Sequence, residues 1–109
     1  MLFRSITPIG AEVLERDGHC LYLPGTNWIL SDTYPQGSDR LQEVYLYHVG
    51  QRRRVSLGKF HSPPEYTGEW RCDTHPRFSP DQHWVCIDSP HGGAGRQMHL
   101  IDIRGIVAV

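Results

Sequence analysis

The chain has 109 residues, which is one domain or part of one. Its 12 acidic and 11 basic residues leave a net charge of -1, which removes a broad electrostatic case for nucleic acid or an anionic membrane. Three cysteines, Cys20, Cys72 and Cys86, form no CxxC and no even framework, so they read as reduced, buried thiols.

Met1 to Pro8 contains no long apolar segment after a charged start, and so no secretory signal, which tips expectation toward the cytoplasm. If the chain is a piece of a longer protein, that start says nothing of the parent's address. No apolar run approaches the roughly 20 residues that cross a bilayer. Ala11-Glu12-Val13-Leu14 is expected to be one strand left from a preceding unit.

His19 to Leu23 reads as a strand, Pro24-Gly25-Thr26-Asn27 as a turn and Trp28 to Ser31 as the returning strand. Asp32 to Asp39 is a polar loop. Glu43 to Val49 is a third strand, rich in aromatic and β-branched residues, and Arg53 to Phe60 a fourth, with Val55 and Leu57 on one face. Between them, Arg52-Arg53-Arg54 is the only basic run and sits at a hairpin end, where a solvated role outweighs phosphate binding.

Ser62 to Gly68, with Pro63-Pro64, is a connector. Thr74 to Ser79, Trp84 to Asp88 and Gln97 to Ile103 are strands, and Ile106 to Val109 is expected to begin a fourth. No segment keeps a 3.6-residue period long enough for a helix.

Two of these units repeat. With His19 laid on His75, 56 positions later, Tyr22 meets Phe78, Pro24 meets Pro80, Trp28 meets Trp84, Ile29 meets Val85 and Asp32 meets Asp88. Strand repeats of this size point to β-propeller blades of four antiparallel strands. The expectation is an all-β partial propeller of two blades, at about residues 17–60 and 72–109. Two blades leave sheet faces uncovered, so the chain is expected to be a fragment or to self-associate.

Asp73 and His75 are two positions apart, which on an extended strand places both side chains on one face. Matching strand ends gather near a propeller's centre, so His19, Asp73 and His75 are expected to converge and hold a divalent cation. The alternative is a repeated structural histidine, each ring bonded to a backbone carbonyl. Cys20 and Cys72 flank these residues, point away and read as packing. Asp32 and Asp88 read as hairpin caps that accept loop N–H groups.

Trp28 and Trp84 read as core, and Trp70 as the better surface for stacking on a sugar. His61, His91 and Glu69 lie in loops and are weak candidates to line a site. His48, His83 and His99 have no nameable partner in the sequence.

Phe78-Ser79-Pro80-Asp81, followed by Trp84 to Ser89, resembles the TolB-like or WD40-like propeller hairpin. Asp17-Gly18-His19-Cys20, Trp28 to Asp32 and His75 to Pro80 are together similar to the C-terminal region of oligogalacturonate lyases. Over roughly Gly18 to Ile103, the resemblance implies a seven-bladed parent that binds Mn²⁺ and cleaves uronic-acid oligosaccharides by β-elimination. His19 and His75 match two of that family's metal ligands. Asp73 stands where the family has a histidine, and Trp70 stands where it has a glutamine and cannot ligate.

The implied chemistry is loss of the C5 proton beside a uronate carboxylate, with cleavage of the 4-O-glycosidic bond. No base is assigned here, because the groups for that step come largely from upstream blades. Arg71 and Arg77 are candidates for a bidentate contact with the substrate carboxylate. The other reading is a non-catalytic propeller segment, a binding or scaffold module.

Overall fold

A computed structural model describes residues 5–11, 13–14 and 16–107. In chain order the strands are β1 (Cys20–Tyr22), β2 (Trp28–Asp32), β3 (Leu41–His48), β4 (Arg53–His61), β5 (Arg77–Phe78), β6 (Trp84–Ser89) and β7 (Gln97–Asp102). A 3-10 turn, Gly68–Trp70, lies between β4 and β5, and one helical turn, α1 (Arg104–Val107), follows β7. The strands form two antiparallel sheets, β1-β2-β3-β4 and β5-β6-β7. The chain is thus predominantly β, as its alternating apolar runs require.

The first hairpin in each sheet is closed in the same way. The Leu23 N–H donates to the Trp28 carbonyl at 3.0 Å, and the repeat-equivalent Ser79 N–H donates to the Trp84 carbonyl at 2.9 Å. A hydroxyl completes each turn: Thr26 Oγ1 accepts from the Trp28 N–H at 3.0 Å, and Ser79 Oγ accepts from the Trp84 N–H at 3.1 Å. Short polar side chains compete for backbone groups in this way, which is why they favour turns. The β3–β4 pair carries a register shift at Val44/Tyr45, opposite Gly58.

Three expectations need correcting. Ala11 to Leu14 is no strand among the described residues. The Val13 and Leu14 N–H groups both donate to the Gly10 carbonyl, at 2.9 and 2.7 Å, which makes a helical turn. (Glu12 lies outside the described residues.) Ile106 and Val107 belong to α1 and not to a strand: Ile106 and Val107 N–H groups donate to the Ile103 carbonyl. The Asp102 carboxylate caps that turn by accepting the Arg104 N–H at 3.0 Å. Residues 108–109 of that expected strand lie outside the described residues. Cys20 is exposed and does not pack in a core, whereas Cys72 is buried.

Trp28, Leu30, Val44 and Leu46 of the first sheet meet Val85 and Ile87 of the second in one buried core, joined by Leu23 and Ile103. Fully burying such side chains is worth about 1.5–3 kcal/mol each. The repeat makes this contact informative. Trp28 and Leu30 correspond to Trp84 and Cys86, which alternate with Val85 and Ile87 along β6 and so face the other way. The sheets therefore stack front to back. The back of the first sheet (Ile29, Tyr45, Tyr47) is covered by Val13, Leu14 and Val49. On the front of the second sheet, Met98 and Leu100 are 70% and 64% exposed.

Candidate metal centre

The site lies where the two sheets meet at one end. His19 precedes β1 and extends its pairing with β2, with its carbonyl accepting from the Asp32 N–H at 3.3 Å and from Ser31 Oγ at 2.5 Å. The approach is close enough that a Cβ on Gly18 would fall 1.8 Å from the Asp32 carbonyl oxygen. Glycine is the residue that fits such a contact.

Asp32 is fully buried and faces the second sheet, as its alternation with Leu30 requires. Its Oδ1 accepts from the His19 backbone N–H at 2.7 Å and lies 3.1 Å from His19 Nδ1. Its Oδ2 lies 3.3 Å from the same ring nitrogen and accepts from Thr74 Oγ1 at 2.5 Å. Asp32 thus does accept a backbone N–H, as a cap would, and it also holds a side chain from each sheet.

The second half of the site is not the extended strand that the sequence suggests. Arg71 to Pro76 is irregular, β5 is only Arg77–Phe78, and His75 has φ +42°. That left-handed turn consumes a residue, as a bulge does. The Asp32 N–H donates to the His19 carbonyl, whereas its equivalent, the Asp88 N–H, donates to the Thr74 carbonyl, one position before the equivalent residue His75. Asp88 does not hold His75 as Asp32 holds His19. Its carboxylate takes the Arg77 guanidinium through two bonds, at 3.0 and 3.1 Å, where a loop N–H partner was expected. Those bonds raise the Arg77 pKa.

One nitrogen or oxygen from each of His19, Asp73 and His75 lies within 4.8 Å of the others, although not through the same-face strand argument. The two imidazoles have centroids 4.7 Å apart and planes inclined at 34°. Asp73 is buried. Its Oδ2 pairs with Arg71 Nη2 at 3.1 Å, and its Oδ1 is buried without a hydrogen-bond partner. Leaving such an acceptor unsatisfied costs about 1–3 kcal/mol. Metal bonds here would be about 2.0–2.2 Å long, so closure on an ion asks for side-chain shifts of about an ångström.

Beside this cluster is a pocket of about 710 Å³ whose lining includes Arg71, Asp73, His75, Asp88, Arg96 and Met98. That volume is in the range of a small-molecule site. Arg71 also lies over the Tyr34 ring at 5.3 Å, and that ring meets His19 edge-on at 5.8 Å. Burial pushes the Cys72 thiol's pKa up, against the Arg96 charge.

The other sequence candidates are placed differently. Trp70 is exposed in the 3-10 turn, its carbonyl accepting from Arg96 Nη2 at 2.6 Å, and its ring is outside the pocket lining. Arg77 is engaged by Asp88 and donates to the His75 carbonyl at 2.9 Å. His61 ends β4, with Nδ1 2.7 Å from the Asp39 carbonyl oxygen, and is also outside that lining. The His91 ring packs on Phe60 and His99, at 5.0 and 4.5 Å, and partial loss of water followed by His99 lowers its pKa.

Asp32, Thr74 and Arg96 were not read as site residues from sequence. The recurrence of Asp32 as Asp88 was the available signal, and Arg96 carried none. Comparison with family models, with curated proteins and with solved structures gives no match to this chain.

Proposed function

We propose that the chain is a two-blade portion of a β-propeller, and that His19, Asp73 and His75 hold a divalent cation, Mn²⁺, in an oligogalacturonate lyase-like centre. One observation carries the reading: two imidazoles and a carboxylate meet within 4.8 Å, and the carboxylate keeps one buried oxygen unpaired. Two nitrogens and an oxygen suit Mn²⁺, Zn²⁺ or Fe²⁺, so the residues present fit the group. When bound, a cation supplies Lewis-acid neutralisation of a uronate carboxylate, which acidifies the adjacent C5 proton.

In this reading Asp73 and Arg71 set the local charge, and Arg71 and Arg96 in the pocket bind uronic-acid oligosaccharide. The proton is taken by a group outside this chain. Front-to-back stacking supports the blade reading, because each sheet then presents the face that its successor covers. The uncovered face with Met98 and Leu100 is where another sheet, or self-association, is expected.

The second reading is a non-catalytic propeller segment, a binding or scaffold module. It draws on the bonds among His19, Asp32 and Thr74, which are complete without an ion.

Thermal unfolding with Mn²⁺ separates the two. At 100-fold excess over Kd, binding is worth about 2.7 kcal/mol, a shift of several degrees or more for a domain of this size. That shift is expected for the native chain and is expected to be lost in His75→Ala. No shift in the native chain at saturating Mn²⁺ overturns the metal reading. The isolated chain is expected to give no near-ultraviolet signal of unsaturated products from oligogalacturonate. Such a signal would show that the upstream base is dispensable.

A further inference from the structure

We propose that Asp32 is the positioning residue of the His19–Asp73–His75 centre: it sets which nitrogen of His19 is free, and through Thr74 it fixes where the opposing ligands stand. The inference rests on the metal reading above but has its own observable.

A carboxylate at neutral pH only accepts hydrogen bonds. With an ionised Asp32 placing Oδ1 and Oδ2 at 3.1 and 3.3 Å from His19 Nδ1, that nitrogen is the one that carries the proton. In the neutral ring, His19 Nε2 is then left with a lone pair. This is the arrangement by which an outer carboxylate orients a ligating imidazole. The backbone N–H of His19, bonded to the same carboxylate at 2.7 Å, ties the residue's main chain to that group as well.

The other oxygen reaches across the sheets. Thr74 lies between Asp73 and His75 in sequence, is fully buried and donates to Asp32 Oδ2 at 2.5 Å. The Thr74 carbonyl accepts from the Asp88 N–H at 2.8 Å, so the residue is held at both its side chain and its backbone. One buried carboxylate therefore bonds His19 directly and, through Thr74, the segment between the other two ligands, while contributing no ligand itself. Asp88, its counterpart in the repeat, has no such role because Arg77 occupies it.

The test is nitrogen NMR of the His19 ring in the metal-free chain at pH 8, together with Mn²⁺ titration, on native protein and on Asp32→Asn, Thr74→Val and Thr74→Ser. The expected native form is Nδ1–H. Asp32→Asn is expected to shift His19 toward the Nε2–H form and to weaken Mn²⁺ binding about 10–100-fold. Thr74→Val is expected to weaken binding with the tautomer unchanged, and Thr74→Ser to restore it.

A native His19 in the Nε2–H form overturns the proposal, as does a folded Asp32→Asn with native affinity. If Asp32→Asn does not fold, the Thr74 pair decides, and equal affinity in Thr74→Val and Thr74→Ser overturns the cross-sheet half. If the native chain binds no Mn²⁺, the metal reading fails, while the tautomer result still decides what Asp32 does to His19.

Discussion

Asp32 and Asp88 fall at matching positions of the repeat, yet one bonds a histidine and the other an arginine. Spacing made both visible, and it also singled out His19, Asp73 and His75. What spacing could not carry was the backbone at His75. A non-glycine residue at φ +42° is uncommon, and here it precedes Pro76, so an extended reading was the ordinary one. Nor could it carry the burial of Asp32, which comes from the second sheet packing over it. Gly18 is the residue on which this corner most plainly depends. In Gly18→Ala the new Cβ would stand 1.8 Å from the Asp32 carbonyl oxygen, so His19 and Asp32 must part. The expected loss is about 2–4 kcal/mol by chemical denaturation, with loss of any Mn²⁺-induced stabilisation.

At the scale of elements, the hairpins were legible because turn chemistry is local. Pro24-Gly25 and Pro80-Asp81 each mark a reversal, and the strands on either side pair as their patterns require. Two misreadings, Ala11 to Leu14 and Ile106 to Val107, fell where no strand pairs among the described residues. Ile106-Val107 is apolar and β-branched, yet after β7 no further strand is available among the described residues, and a capped helical turn satisfies the backbone instead. The cap gives a pH test. Hydrogen bonds from Arg104, first its side chain and then its backbone N–H, hold the Asp102 pKa down at about 2, below the ordinary 3.8. A depressed folded pKa means that the contribution is complete above the ordinary value and lost as pH falls from about 4 through about 2. Carbon NMR of the Asp102 carboxyl is expected to titrate near the lower figure. Arg104→Gln is expected to return it toward the ordinary one.

For the whole molecule, the repeat made an all-β chain legible, but the front-to-back contact emerges only in the folded structure, because alternation along a strand does not say which face meets which partner. That contact is asymmetric, so repeating it cannot satisfy both outer surfaces with two sheets alone. Val13 and Leu14 cover one of them, and Leu100 and Met98 leave the other open. Sedimentation velocity is expected to show association that grows with concentration. Leu100→Lys is expected to abolish it, at a cost in stability within about 0.5 kcal/mol. A concentration-independent monomer in the native chain would remove the self-association.

His19 belongs to the first sheet, and Asp73 and His75 lead into the second. An ion gripped by all three would therefore act as a rivet across a seam, drawing on packing well away from it. Loosening Leu30 against Ile87 would then be felt as a weaker grip, even though neither side chain touches the ion.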